Sequence, residues 1–194
     1  DRVSPNGEVI AQRLATLSHL AHHYANSRPV IVATTINAVT QRGPPRDWVA
    51  NSSWSLKPGN QVEMDALVSW LARDGFERTG TVRETGEFAV RGGILDLFPP
   101  GRSEPIRLDF FGDTLESIRS FDPETQRTLA QEKELSLIPM SELRLDEAAI
   151  SRFRTEYVAR FGVPSTDDPL YAAVSEGRRH QGMEHWLPLF HDHL

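Results

Sequence analysis

The middle third of this chain constrains its fold most, because apolar and polar residues begin to alternate after residue 75. Alternation with a period of two is typical of strands that bury one face. We predict four strands of an antiparallel sheet at Phe76–Arg83, Glu87–Phe98, Ile106–Phe111 and Leu115–Phe121. Turn-forming residues separate these strands at 84–86, 99–101 and 112–113.

An amphipathic helix precedes the predicted strands. Its apolar residues recur every three or four positions, at Met64, Leu67, Val68 and Leu71. The helix ends near Asp74-Gly75. One helix lying on such a sheet makes a small α+β domain.

The segments on either side have a different pattern. Ser4-Pro5 is a helix-start signal, and the long helix that follows leads to a short buried strand at 29–34 and a helical turn at 36–39. Gly43-Pro44-Pro45 then breaks the pattern. Before the middle domain we therefore predict an α/β fragment.

After Ile138-Pro139 the chain is predicted to be mostly helical. Apolar residues at helical spacing indicate a helix over residues 148–161. Asp168-Pro169 starts another helix, which stops at Gly177.

Composition excludes several classes of protein. Without cysteine there is neither a disulfide framework nor a thiolate metal site. No apolar run approaches the roughly 18 to 20 residues that cross a bilayer, so we expect no membrane association and a cytoplasmic location. The net charge of -6 disfavours broad non-specific binding to duplex DNA, which needs clustered cations.

No catalytic motif is present in the sequence. It lacks the Gly-x-x-x-x-Gly-Lys-Ser/Thr phosphate loop of an ATP site and the Gly-x-Ser-x-Gly elbow of a hydrolase. We expect Asp96 and Asp109 to face water beside Arg107 or Arg102 rather than to hold a metal ion. We therefore predict no catalytic, cofactor-binding or metal-binding residue and no enzymatic activity in this chain.

The most specific signal spans residues 80–127, which read GTVRETGEFAVRGGILDLFPPGRSEPIRLDFFGDTLESIRSFDPETQR. This run resembles the second domain of the transcription-repair coupling factors (Mfd), and more loosely its counterpart in UvrB. The flanks agree, since residues 182–190, GMEHWLPLF, resemble the element where the Mfd chain returns to its UvrB-like domain.

The resemblance implies a layout of three parts. Residues 1–45 are expected to be the first piece of a UvrB-like α/β domain, related to P-loop domains but without the phosphate loop. Residues 46–135 are expected to be an inserted α+β domain of antiparallel strands plus a helix. Residues 136–194 would be the mostly helical return segment.

The resemblance also implies a role in transcription-coupled nucleotide excision repair. This chain would be a non-catalytic recruitment module that docks UvrA after a stalled RNA polymerase is displaced. RNA polymerase, DNA, ATP and Mg would be bound by other domains of the full-length translocase, and no cofactor is expected here.

Arg91 is the first candidate for a UvrA contact. If residues 86–98 form one strand, Arg91 and Leu95 share a face, and a guanidinium beside apolar surface is typical of interface anchors. Arg78 and Arg83, on the neighbouring predicted strand, would add to a basic patch. By resemblance, Arg91 and Arg78 match UvrA-contacting arginines of UvrB, whereas Ala89 stands where UvrB has an arginine.

A DNA-binding module of a repair helicase-like protein is the alternative function. It would need a basic stripe on the outer segments, and the residues available are Arg152, Arg154, Arg160, Arg178 and Arg179. Acidic residues are interspersed among these arginines, which lowers the expected affinity for phosphates.

Overall fold

The computed structural model of the protein describes residues 7–23, 29–165 and 167–191. The α-helices are α1 (Gly7–His23), α2 (Ile36–Thr40), α3 (Arg46–Asn51), α4 (Met64–Arg73), α5 (Glu147–Phe161) and α6 (Pro169–Ser175), and a 3₁₀ helix spans Met183–Leu189. The strands are β1 (Trp54–Leu56), β2 (Glu77–Arg78), β3 (Glu87–Arg91), β4 (Ile94–Leu97), β5 (Ile106–Phe111), β6 (Thr114–Phe121), β7 (Thr128–Glu132) and β8 (Leu135–Leu137).

A six-stranded sheet with the order β2-β3-β4-β5-β6-β7 forms the centre of the fold. Its neighbours from β3 to β7 run antiparallel, while the edge strand β2 runs parallel to β3. A separate antiparallel ladder pairs β1 with β8. The fold is thus a mixed α/β one, and the predicted antiparallel sheet is confirmed for its central strands.

Residues 86–98 do not form the single strand that the alternation predicts. They fold into a hairpin of β3 and β4 in which Gly92 and Gly93 are the turn and Arg91 pairs with Ile94. Gly92 has a φ of +59°, a left-handed conformation that glycine adopts without the steric cost of a side chain. Consecutive glycines at such a two-residue turn allow the chain to reverse direction.

The edges of the sheet also differ from the prediction. The predicted strand Phe76–Arg83 is reduced to the two residues of β2. β7 was not predicted, because nearly all of its residues are exposed and they show no alternation of burial. Edge strands of this kind leave little periodic signal in a sequence.

One apolar core lies between α4 and the inner face of the six-stranded sheet. Leu67 and Leu71 of α4 are fully buried against strand residues such as Leu97 and Leu108. Burying one leucine side chain contributes roughly 1.5 to 3 kcal/mol. This contact confirms the predicted helix on a sheet, and it leaves the opposite face of the sheet free of α4.

A second core forms in the return segment, where α5, α6 and the 3₁₀ helix pack around Phe153. Asp146 caps α5 by accepting from the amide of Ala149 at 2.9 Å, and Asp168 caps α6 with Pro169 at the start of the helix. Both helices predicted in this segment are confirmed. Within the described residues, no helix is long and apolar enough to cross a membrane.

The first segment departs most from its prediction. The long helix is confirmed as α1, although its predicted start at Ser4-Pro5 lies outside the described residues. The buried strand predicted at 29–34 is wrong, since the segment carries no strand and Ile31 is 98% exposed. A strand needs a neighbouring strand for its backbone hydrogen bonds, and no described segment pairs with this one.

Buried ion pairs connect the end of α4 to the return segment. The carboxylate of Asp74, only 1% exposed, lies 2.9 Å from Nε of Arg144 and 3.0 Å from Nε of Arg73. The guanidinium of Arg144 also lies over the ring of Trp48, 5.7 Å from its centroid. These contacts hold the helix against the segment that follows the sheet.

The division at 1–45, 46–135 and 136–194 stays a prediction. β8, at Leu135–Leu137, pairs with β1, at Trp54–Leu56, so the predicted boundary at 135 falls at the start of this ladder.

Candidate protein-docking surface

The candidate surface is the outer face of the six-stranded sheet, which is the face turned away from α4. Arg91 ends β3 on this face, where its partner across the hairpin is Ile94. Its side chain is 48% exposed, as predicted. Ile94 in turn pairs with Asp109 of β5, so a row of neighbouring residues crosses three strands.

A buried carboxylate holds Arg91 in place. Asp96 of β4 is only 1% exposed, and its carboxylate accepts a hydrogen bond from Nη2 of Arg91. Arg107 of β5 donates to the same carboxylate from Nε at 2.7 Å and from Nη2 at 2.9 Å. The expectation that Asp96 faces water was therefore wrong, because its two arginines cover it.

The charges in this cluster do not balance. Asp96 supplies one negative charge to two arginines, so the cluster of Arg91, Asp96 and Arg107 carries a net charge of about +1 at neutral pH. Arg107 uses two of its nitrogens on the carboxylate, whereas Arg91 uses only Nη2. Nearly half of the Arg91 side chain is exposed, so a further partner can reach its guanidinium.

Arg107 is the fixed member of the cluster. Its side chain is 16% exposed, and its guanidinium lies over the ring of Phe121 at 4.7 Å from the centroid. Its hydrogen bond with Asp96 raises the pKa of Arg107 above the ordinary value, although burial acts in the opposite direction. Phe121 belongs to a small buried cluster that includes Ala89. Arg107 therefore stays charged and positioned.

A neutral pair extends the same face. Asp109 of β5 accepts from Nε of Arg119 at 3.0 Å and from Nη2 at 2.7 Å, and it also accepts from the hydroxyl of Ser117. Asp109 is half-buried, which again differs from the expected water-facing position. Asp109 also favours the charged form of Arg107, but Arg119 balances the charge of Asp109, so the enlarged cluster keeps a net charge of about +1.

Of the other predicted contact residues, Leu95 is placed differently from the prediction. It is fully buried in the core and pairs with Val90 on the inner face. Its predicted place on the surface beside Arg91 was wrong, because the chain reverses at Gly92 and Gly93. A residue in this position cannot contact a partner directly.

Arg78 and Arg83 are both exposed, but the structure does not bring them into one row with Arg91. Arg78 lies on β2 at the free edge of the sheet, and its register partner is Phe88, an inner-face residue. Arg83 lies in the loop before β3, where its amide donates to the carboxylate of Glu87 at 2.7 Å. The predicted basic patch is therefore spread around the edge of the sheet.

Phe111, which the sequence reasoning did not single out, is the largest exposed apolar side chain near Arg91. It ends β5 and is 77% exposed. The signal in the sequence was the pair Phe110-Phe111 directly before a Gly-Asp turn, since two adjacent strand residues point to opposite faces. Phe110 packs against the core, so Phe111 lies on the outer face.

Comparison with known proteins adds the family context. A sequence model described as the UvrB interaction domain matches residues 54–143. Residues 54–143 are called the UvrB interaction domain below, after this match. It contains the six-stranded sheet, α4, the β1–β8 ladder and every residue of the candidate surface.

The similarity also extends beyond the UvrB interaction domain. The chain is 37% identical over 190 residues to the transcription-repair-coupling factor of Escherichia coli (strain K12), which covers 98% of this chain and 16% of that protein. It is 37% identical over 191 residues to the protein of the same name from Haemophilus influenzae. That alignment covers 98% of this chain and 16% of the Haemophilus protein. The Rickettsia bellii protein of the same name is 37% identical over 192 residues. That alignment covers 99% of this chain and 17% of the Rickettsia protein.

The predicted resemblance to the transcription-repair coupling factors is therefore confirmed. This chain spans about one sixth of the length of these relatives, which is 16% to 17%.

The five arginines considered for a DNA-binding stripe have internal partners. Nη2 of Arg154 donates to the carbonyl of Ser175, and Arg160 pairs with Glu156 at 3.2 Å. Arg178 pairs with Glu176, and Arg179 donates to Ser141 and to backbone carbonyls. Arg152 also has a partner. These contacts use much of the positive charge that a DNA-binding stripe would need.

The part of the chain that the structure describes offers no constellation for metal chemistry. No group of three or more His, Asp or Glu side chains is placed to hold a metal ion there.

Proposed function

We propose that this chain is the part of a transcription-repair coupling factor that docks UvrA, and that Arg91 is the central contact. The observation that supports this most is the unbalanced charge around Asp96. A half-exposed guanidinium is held there by a buried carboxylate that it shares with a second arginine. A partner that presents a carboxylate to Arg91 would balance the charge.

The preorganisation of Arg91 supports the same proposal. Side-chain ordering at an interface costs about 0.5 to 1.5 kcal/mol for a long, flexible side chain. The hydrogen bond to Asp96 meets part of this cost before binding, because it already restricts the guanidinium. Planar, bidentate recognition of a carboxylate is the contact for which arginine is best suited.

Arg78 and Arg83 are proposed as outer contacts of the same docking site. Both are exposed and lie next to β3, one on the edge strand and the other in the loop before β3. They would extend the contact from the outer face around the free edge of the sheet. Their contribution is expected to be smaller than that of Arg91, because rim charges mainly affect association rates.

The wider role follows from the relatives and is likewise proposed. The full-length protein would displace a stalled RNA polymerase and move on DNA, using ATP and Mg bound outside this chain. The segments around the UvrB interaction domain would belong to a UvrB-like α/β domain that is related to P-loop domains. In this arrangement the present chain serves recruitment and needs no cofactor.

A calorimetric titration of the 194-residue chain with purified UvrA tests the proposal. Arg91→Ala is expected to weaken binding at least about tenfold, or about 1.4 kcal/mol. Arg178→Ala is the matched control, because Arg178 is also an exposed arginine paired with one carboxylate but lies outside the UvrB interaction domain. Circular dichroism confirms that each variant is folded.

Two results would contradict the proposal. Absence of UvrA binding by the folded parent chain would remove the recruitment function. Equal losses in Arg91→Ala and Arg178→Ala would mean that binding depends on overall charge rather than on the outer face.

A further inference from the structure

The β2–β3 loop (residues 79–86) packs onto the outer face of the sheet beside Arg83. Val82, which directly precedes Arg83, is fully buried in a small cluster with Ala89 and Phe121. Ala89 pairs with Asp96 across the β3–β4 hairpin, so this cluster lies on the outer face. The packing of Val82 therefore sets where the exposed side chain of Arg83 leaves the surface.

Gln126 connects this loop to the turn between β6 and β7. Its Nε2 donates to the carbonyl of Val82 at 3.1 Å and to the carbonyl of Pro123, in its own turn, at 2.7 Å. Val82 lies 44 positions earlier in the chain, so this is a tertiary contact. One amide group thus holds two segments together at the residue before Arg83.

The β6–β7 turn is itself fixed by hydrogen bonds. Oδ1 of Asp122 accepts from the amide of Glu124 at 3.0 Å and from the amide and hydroxyl of Thr125 at 2.6 and 2.9 Å. The amide of Gln126 donates to the carbonyl of Asp122 at 2.8 Å, and the amide of Asp122 donates to the carbonyl of Arg127 at 2.9 Å. Gln126 therefore extends from a rigid support.

Gln126 keeps two unfavourable features. Its φ is +61°, in the left-handed region that few residues other than glycine adopt. Its Oε1 is buried and accepts no hydrogen bond from any residue that the structure describes. Strained backbone and unsatisfied polar atoms persist only where the surrounding structure enforces them, and they are concentrated at functional sites. The contact that distinguishes Gln126 is its bond to Val82, which reaches the outer face.

The backbone of Arg83 is held from its other side as well. Its amide and the amide of Glu84 donate to Oε2 of Glu87 at 2.7 and 2.9 Å. The side chain of Arg83 remains exposed. Because Val82 is fixed before Arg83 and Glu87 binds after it, the backbone is restricted before any partner arrives, which lowers the ordering cost of a contact.

We propose that Gln126 is a positioning residue for docking. It holds the β2–β3 loop against the outer face, so that the guanidinium of Arg83 meets a carboxylate of the partner. Gln126 does not touch the partner and acts through Arg83. The inference rests on the proposed docking of UvrA and adds the residue that sets the position of one of its contacts.

Amide hydrogen exchange of the 194-residue chain tests whether Gln126 holds the loop. Gln126→Asn shortens the side chain and takes its amide out of reach of Val82, while asparagine tolerates a left-handed backbone. The amides of Arg83 and Glu84 should then exchange at least about tenfold faster, because local opening becomes easier. Gln131→Asn is the matched control, the same change at an exposed residue of β7. Exchange at the parental rate in Gln126→Asn overturns the proposal.

Calorimetric titration with purified UvrA tests whether Gln126 acts through Arg83. Arg83→Ala and Gln126→Asn are each expected to weaken binding about threefold, which is the size of an exposed charge contact. The double variant should bind no more weakly than Arg83→Ala alone, since both changes remove the same contact. A loss that acts only through overall stability would add to the loss from Arg83→Ala.

The outcomes separate this proposal from the docking function. Non-additive losses together with faster exchange at Arg83 and Glu84 support the positioning role. Additive losses overturn it, and so does parental binding by Gln126→Asn or by Arg83→Ala. In a series where Arg91→Ala binds weakly, these results leave the docking function standing. No binding by the parent overturns both proposals.

Discussion

The buried carboxylate of Asp96 binds the half-exposed guanidinium of Arg91 and the mostly buried guanidinium of Arg107 at the same time. Because of this arrangement, losing Arg91 and losing Asp96 should have unequal effects on stability. Arg91 can be removed while Asp96 keeps its two hydrogen bonds to Arg107. Removing Asp96 leaves two neighbouring arginines without their shared partner.

We therefore predict that Asp96→Ala lowers the free energy of unfolding by roughly 3 kcal/mol or more, because it breaks a buried pair on one side. Arg91→Ala should lower it by less than about 1 kcal/mol, as expected for a solvent-screened contact. Urea denaturation of both variants measures the difference. Equal destabilisation would mean that Arg91 is part of the structural core rather than a free contact residue.

The two glycines of the β3–β4 turn should respond differently to substitution. An added Cβ at Gly93 would lie 2.6 Å from the carbonyl oxygen of Phe110, whereas Gly92 has no heavy atom within 4 Å of such a Cβ. Gly92→Ala should cost about 1 to 2 kcal/mol, from its left-handed φ alone. Gly93→Ala should cost more than Gly92→Ala, because backbone must move to relieve the overlap.

Thermal and urea denaturation of the two glycine variants checks this order. Gly93→Ala is also expected to weaken the proposed UvrA binding, since it displaces the turn that follows Arg91. A Gly93→Ala variant as stable as Gly92→Ala would show that the two turns are not held in the close contact described.

The link between α4 and the return segment gives a third prediction. Asp74 is 1% exposed and has both Arg73 and Arg144 as partners, while the side chain of Arg144 is 24% exposed. Asp74→Ala is expected to destabilise the protein by roughly 3 to 5 kcal/mol, as for the loss of one side of a buried pair. Arg144→Ala should cost less, because Asp74 keeps Arg73. Urea denaturation measures both costs. A larger cost for Arg144→Ala would mean that Arg144, and not Asp74, is the main stabilising residue of this link.

The alternation of the sequence places Arg91 correctly and Leu95 wrongly for one physical reason. In a continuous strand, residues four apart share a face, and this predicts that Arg91 and Leu95 lie together. The two-residue turn makes Ile94 the partner of Arg91, which shifts the phase of β4 by one residue and moves Leu95 into the core. The apolar alternation of Phe88 and Val90 resumes out of phase at Leu95 and Leu97, and this phase change across two glycines was the signal of the reversal.

Other parts of the fold depend on contacts that a local pattern does not contain. β5 and β6 alternate clearly and were predicted with nearly the observed bounds. The apolar run at 29–34 has strand-like composition but no strand beside it among the described residues. Phe111 is predicted as the end of a strand, and the two adjacent phenylalanines before the Gly112-Asp113 turn were the signal that one of them faces outward. Buried Asp96 was missed because its two arginines lie on different strands.

The last prediction concerns the return segment, where the hydroxyl of Tyr157 donates a hydrogen bond to the carboxylate of Asp168. This hydrogen bond, together with burial and the negative charge of Asp168, raises the pKa of Tyr157 to about 12. The ordinary pKa of tyrosine is about 10. Because the folded state holds the proton more tightly than the unfolded state, the contribution to stability is complete below about pH 10 and is lost as the pH rises towards 12.

The change is measured by following tyrosinate absorbance of the parent and of Tyr157→Phe between pH 9 and pH 12.5, and taking the difference as the signal of Tyr157. That signal should appear near pH 12 in the parent. In Asp168→Asn it should move towards about pH 10, since the negative acceptor is gone. The free energy of unfolding of Tyr157→Phe should also depend less on pH in this range. A difference signal near pH 10 in the parent would mean that the hydrogen bond to Asp168 is absent in solution.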